Sequence, residues 1–80
     1  MVKTIKQALE VIKKSEYADV KILRRYEGKF ADEQVYGFYV SDKDVPDSFG
    51  YGLLVSEDGT IDCLSGVVPM AILNSLKRID

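Results

Sequence analysis

The chain has 80 residues, 46% of them apolar and 30% charged, with a net charge of −2, one cysteine and no histidine. That is the composition of a single folded domain spanning residues 1–80, near the size at which a hydrophobic core alone still holds a fold. It excludes an intrachain disulfide, a histidine general base and a histidine-ligated zinc site.

The longest apolar run, residues 67–73, contains Pro69 and falls well short of the roughly 20 residues needed to cross a bilayer. Lys3, Lys6, Glu10, Lys13 and Lys14 interrupt any signal sequence. The expectation is a cytoplasmic protein with no membrane association. Charge is unevenly placed: residues 1–30 carry eight basic and four acidic groups, whereas residues 31–62 carry one basic and eight acidic groups.

Thr4 followed by Gln7 reads as a capping box, which predicts a helix starting there. Ile5, Leu9 and Ile12 then recur at helical spacing with Ala8 beside them, and the lysines take the other side as far as about Ser15. From 19 to 27 the period becomes two. Val20, Ile22 and Tyr26 share one parity and Leu23 and Arg25 the other, which predicts a first strand whose charges suit an edge. Gly28 is expected to open a turn. Residues 34–41 form a second strand, with Tyr36, Phe38 and Val40 opposite Val35, Gly37 and Tyr39, and residues 42–48 form a loop containing Pro46.

Residues 49–56 alternate strictly, Phe49, Tyr51, Leu53 and Val55 against Gly50, Gly52, Leu54 and Ser56. Asp58 and Gly59 signal a hairpin whose positive φ values suit that pair, and residues 60–64 return as a fourth strand with Ile61 and Cys63 pointing inward. Gly66 breaks the strand. Pro69 suits the first turn of a C-terminal helix with Ile72, Leu73, Leu76 and Ile79 as its buried stripe.

The predicted fold is α+β, a two-layer sandwich of N-terminal helix, four-stranded antiparallel meander and C-terminal helix, with both helices on the aliphatic and aromatic face of the sheet. The other face is then open. It would present Leu23, Arg25, Val35, Gly37, Tyr39, Gly50, Gly52 and Leu54, with Asp62 and Leu64 beyond them. Glycine normally weakens a strand, so three of them on one face point to something lying close to the sheet. The functional expectation is a small non-enzymatic module that binds a protein partner, or a second copy, through this platform, with Tyr39 as anchor. The competing structural account is that Tyr39 folds over the glycines, or that they permit a bulge and strong twist.

Asp42, Asp44 and Asp47 lack the spacing, central glycine and final glutamate of an EF-hand, so neither a metal nor any other cofactor is expected. No nucleophile with a neighbouring base is apparent for catalysis. The element order resembles that of the double-stranded-RNA-binding domain. Such domains carry a lysine cluster at the start of the last helix, whereas this chain reads Gly66, Val67, Val68, Pro69 and Met70 there. The resemblance therefore stops at element order, and a sequence pI of about 5.0 argues against direct nucleic-acid binding. A second functional reading is a small acidic inhibitor, similar in charge to phage anti-CRISPR and anti-restriction proteins, that engages a nucleic-acid-binding protein through Asp42, Asp44, Asp47, Glu57 and Asp58.

Overall fold

In a computed structural model the chain forms α1 (Ile5–Lys13), β1 (Lys21–Phe30), β2 (Glu33–Ser41), β3 (Tyr51–Ser56), β4 (Ile61–Leu64), α2 (Val67–Asn74) and β5 (Lys77–Arg78). The structure describes residues 2–30, 32–46, 50–64 and 67–79, with residues 67–70 described by backbone alone. Asp47, Phe49 and Gly66, each given a part in the sequence reading, lie outside the described residues, as does the side chain of Pro69. Among the described residues, no helix is long and apolar enough to cross a membrane.

The fold is α+β, with a five-stranded antiparallel sheet in the order β4-β3-β2-β1-β5 and two helices. The capping box at the start of α1 forms: Thr4 Oγ1 accepts from the Gln7 N–H at 3.1 Å. The Gln7 side chain reaches one residue further back than expected, accepting from the Lys3 N–H at 2.7 Å. Ala8 and Ile12 of α1 are buried against Tyr36, Phe38, Val40, Leu53 and Val55, with Ile22, Tyr51 and Ile61 packed around them. The expected parity of β2, β3 and β4 is thus the one that packs beneath α1.

α2 does not join α1 on that face. Leu73 and Leu76 pack instead in a second cluster with Tyr26, Val35 and Leu54, on the opposite side of the sheet. The physical reason lies in the connection. β4 and β5 occupy opposite edges and run parallel, because each strand between them reverses direction. Four interstrand spacings of about 4.8 Å separate them by roughly 19 Å. A helix of 8 residues, about 12 Å long, must lie across the sheet to bridge that gap.

The glycines mark its track. Gly37 of β2 pairs with Tyr26 of β1 and Leu54 of β3; Gly28 stands two residues after Tyr26 and Gly52 two residues before Leu54. The three therefore form a diagonal across adjacent strands, starting near Leu64 where the crossover leaves the sheet and ending near Leu76 where it returns. A Cβ at Gly37 would stand 2.6 Å from Leu73 Cδ2, one at Gly52 3.2 Å from Leu73 Cδ1, and one at Gly28 2.9 Å from Leu76 Cδ2. The platform expected to be open is thus covered: Val35 and Leu54 are 3% and 4% exposed, and Gly37 and Gly52 are buried.

Four further expectations need correction. β1 continues through Gly28, which pairs with Val35, and the turn falls at Asp32, whose φ is 64°. A bulge between Ile22 and Arg24 reverses the parity of β1 beyond it, placing Tyr26 opposite Gly37 in the second cluster and Arg25 opposite Phe38 on the α1 side. In the β3–β4 hairpin only Gly59 has positive φ, at 87°. There Gly59 N–H donates to Ser56 O and Ser56 N–H to Thr60 O, both at 3.0 Å, which makes a three-residue loop with a glycine bulge. Finally, α2 ends at Asn74, so Ile79 is not on its stripe; its N–H donates to Arg25 O at 3.0 Å beside the short strand β5.

Candidate functional site at the β4 edge

The residues singled out in the sequence do not converge on one exposed surface. Leu23 lies half-buried at the bulge, and Arg25 lies half-buried on the α1 side. Val35, Gly37, Gly52 and Leu54 sit beneath α2. Tyr39 is half-buried, and its ring closes over Gly50, where a Cβ would meet Tyr39 Cζ at 2.6 Å; Arg24 stands 5.9 Å from the centre of the same ring. The structural account of Tyr39 folding over a glycine therefore applies at Gly50.

The acidic residues fall at two ends of the sheet. Asp42 and Asp44 are exposed at one end, where Asp42 Oδ1 accepts from the Tyr51 hydroxyl at 2.9 Å. Burial, reinforced by this carboxylate, pushes the Tyr51 phenol up to about 12. At the other end Glu33 Oε1 accepts from the Glu57 N–H at 3.3 Å, bringing the β1–β2 and β3–β4 turns together. Asp58 Oδ1 accepts from the Thr60 N–H at 2.9 Å, which holds the Asp58 carboxyl below its usual range. The length of β3, 6 residues or roughly 20 Å, separates the two ends, so they do not form one stripe.

The two edges of the sheet are built differently. An exposed edge strand presents unpaired backbone groups, and proteins blunt such edges with lysine or arginine, proline, bulges or an added element. β1 has several of these devices: Lys21, Arg24, Arg25 and Lys29 along it, the bulge after Ile22, and β5 pairing with Tyr26 and Glu27. β4, with the sequence IDCL, has no basic residue, proline or bulge; its protection is its shortness and the single charge of Asp62. Among the described residues, no strand lies on its outer side.

The hairpin bond from Ser56 N–H to Thr60 O sets the alternation along β4. Asp62 and Leu64 form the hydrogen-bonded pairs with Leu54 and Gly52, and the N–H and C=O groups of Ile61 and Cys63 turn outward. Ile61 and Cys63 share the α1 side, as expected, but Cys63 is exposed rather than buried. Its side chain meets the Tyr17 hydroxyl, and that hydrogen bond is the main reason the Tyr17 phenol is raised. The Tyr17 and Tyr51 rings lie 6.5 Å apart.

Beside the hairpin runs a groove of about 330 Å³. It is lined by Glu10 and Val11 of α1 with the C-cap residue Lys14, by Glu57, Asp58 and Gly59 of the hairpin, and by Val2. The Val2 N–H donates to Glu57 O at 2.8 Å, tying the N-terminal segment to the hairpin.

The lack of lysine and proline in IDCL is legible in the sequence, whereas the outward turn of its backbone follows from the hairpin register. That β4 forms an outer edge, with no strand beyond it among the described residues, depends on the strand order. Comparison with protein-family models, curated proteins and solved structures finds no match.

Proposed function

We propose that this chain is a small interaction module, without catalytic activity of its own, that takes up an extended segment of a partner protein as an additional strand on β4. The observation that carries this reading is the contrast between the edges: β1 is blunted by basic residues, a bulge and β5, whereas β4 has none of these. Strand addition derives affinity from main-chain hydrogen bonds and specificity from alternate side chains. Here the outward groups of Ile61 and Cys63 supply the first, and Asp62 and Leu64 flank the added strand on the α2 side.

A different protein fits better than a second copy. Antiparallel self-pairing in the register that uses the outward groups of both Ile61 and Cys63, with one opposite the other, would set Asp62 directly opposite Asp62 of the second copy, and like charges directly opposite destabilise a strand pair.

The test is selection of peptides from a displayed random library on the wild-type protein, followed by binding of the enriched peptides to Cys63→Pro. Proline removes an outward N–H and no bond to β3, so the variant is expected to keep the wild-type circular dichroism spectrum and lose the peptides. Hydrogen exchange on the wild-type complex gives a second readout, with slowed exchange expected at the Ile61 and Cys63 amides. Enriched peptides that bind Cys63→Pro equally well, or leave both amides unprotected, would refute the reading.

A further inference from the structure

We infer that the groove between α1 and the β3–β4 hairpin seats an arginine or lysine side chain of the segment added to β4. This inference rests on the β4 reading and specifies its partner as a basic extended peptide.

Position supports it first. α1 lines the groove, so it opens on the α1 side of the sheet, the side to which Ile61 points. A partner residue paired opposite Ile61 directs its own side chain to that side. Gly59, on the groove wall, precedes Ile61 by two residues, or about 7 Å along a strand, within reach of a long side chain.

Size and chemistry agree. A volume of about 330 Å³ is at the small end of ligand sites, suited to one side chain rather than a large cofactor. Val2 and Val11 offer apolar surface to an aliphatic stem, while Glu10, Glu57 and Asp58 outnumber Lys14 around the charged head. No lysine or arginine occurs from 51 to 64, so hairpin and β4 together present only negative charge. The Asp58 carboxylate also stays ionised, because Thr60 stabilises its charged form.

The experiment uses the library-enriched peptides. A lysine or arginine is expected at one fixed position of the enriched set. For the strongest such peptide, fluorescence anisotropy should show about tenfold weaker binding when that residue is replaced by glutamine. A similar loss is expected when the protein carries Glu10→Gln with Glu57→Gln, and the two changes together should cost little more than either alone. Enriched peptides that depend on the Cys63 N–H but show no fixed basic position, or whose affinity is unmoved by Glu10→Gln with Glu57→Gln, overturn this inference and leave the β4 reading standing. Peptides indifferent to Cys63→Pro overturn the β4 reading itself.

Discussion

Gly37→Ala measures whether α2 lies on the glycine diagonal. The new methyl would stand 2.6 Å from Leu73 Cδ2 and 3.1 Å from Leu76 Cδ1, against about 3.5–4.0 Å for an ordinary carbon contact. Leu73 is 0% exposed, so its methyl can give way only by repacking against its buried neighbours Tyr26, Val35, Leu54 and Leu76. Overpacking of this kind costs about 1–3 kcal/mol. Opposing it, exchanging a strand glycine for alanine stabilises by about 0.5–1 kcal/mol through the unfolded chain. The net expectation is a loss of about 1–2 kcal/mol, the difference between these two terms. On a bare sheet only the second term would remain, and the sign would reverse.

The chain has five tyrosines and no tryptophan, so urea unfolding is best followed by far-UV circular dichroism or tyrosine fluorescence. With a denaturant slope of about 1 kcal/mol/M, the midpoint should fall by roughly 1–2 M. Leu73→Ala alone should cost about 2–5 kcal/mol. Adding Gly37→Ala to it should cost nothing further or restore some stability, because the Leu73 methyl at 2.6 Å is gone and only the milder 3.1 Å approach to Leu76 Cδ1 remains, giving a coupling of about 1–2 kcal/mol. A higher midpoint for Gly37→Ala in the wild-type background, or strict additivity with Leu73→Ala, would refute the packing of α2 on this face.

Two further outcomes are expected. Ser41 is 0% exposed and its Oγ has no hydrogen-bond partner among the described residues; a buried unsatisfied hydroxyl is costly, so Ser41→Ala should raise stability by about 1 kcal/mol, and a loss of that size would show that the hydroxyl is bonded. Tyr51 keeps its proton to about pH 12 in the folded chain and to about pH 10 when unfolded. Its contribution to stability is therefore full below pH 10 and lost as pH rises toward 12; phenolate absorbance should show a tyrosine titrating near pH 12 that is absent from Tyr51→Phe, and titration of every tyrosine near pH 10 would contradict the burial of this phenol.

Much of the local structure was legible because it rests on near-neighbour chemistry. The Thr4 cap forms with its own Gln7 N–H, and the alternation from Tyr36 to Val40 and from Tyr51 to Val55 sorts side chains to the two sides of the sheet without reference to anything distant. The candidate site was less legible. Asp62 and Leu64 fall on the side expected from parity, but the outward turn of the Ile61 and Cys63 backbone follows from the hairpin register. The exposure of Cys63 follows from β4 being the last strand. β5 has no signal of its own: two residues, Lys77 and Arg78, become a strand only because β1 lies beside them.

Strand alternation by itself determined that this chain has two distinct sheet faces and that one carries Gly37 and Gly52, since a period of two sets them apart from the aliphatic and aromatic side; Gly28 joins that face only through the bulge in β1. Alternation does not say what lies against either side. That was decided by the path from β4 to β5: pairing β5 with β1 carries α2 diagonally over β3 and β2, and Gly52, Gly37 and Gly28 become the track in which Leu73 and Leu76 sit, while Gly50 lies under Tyr39. The same long-range pairing leaves β4 as the outer strand, because a sheet whose last strand docks beside its first has its uncovered edge at the other end.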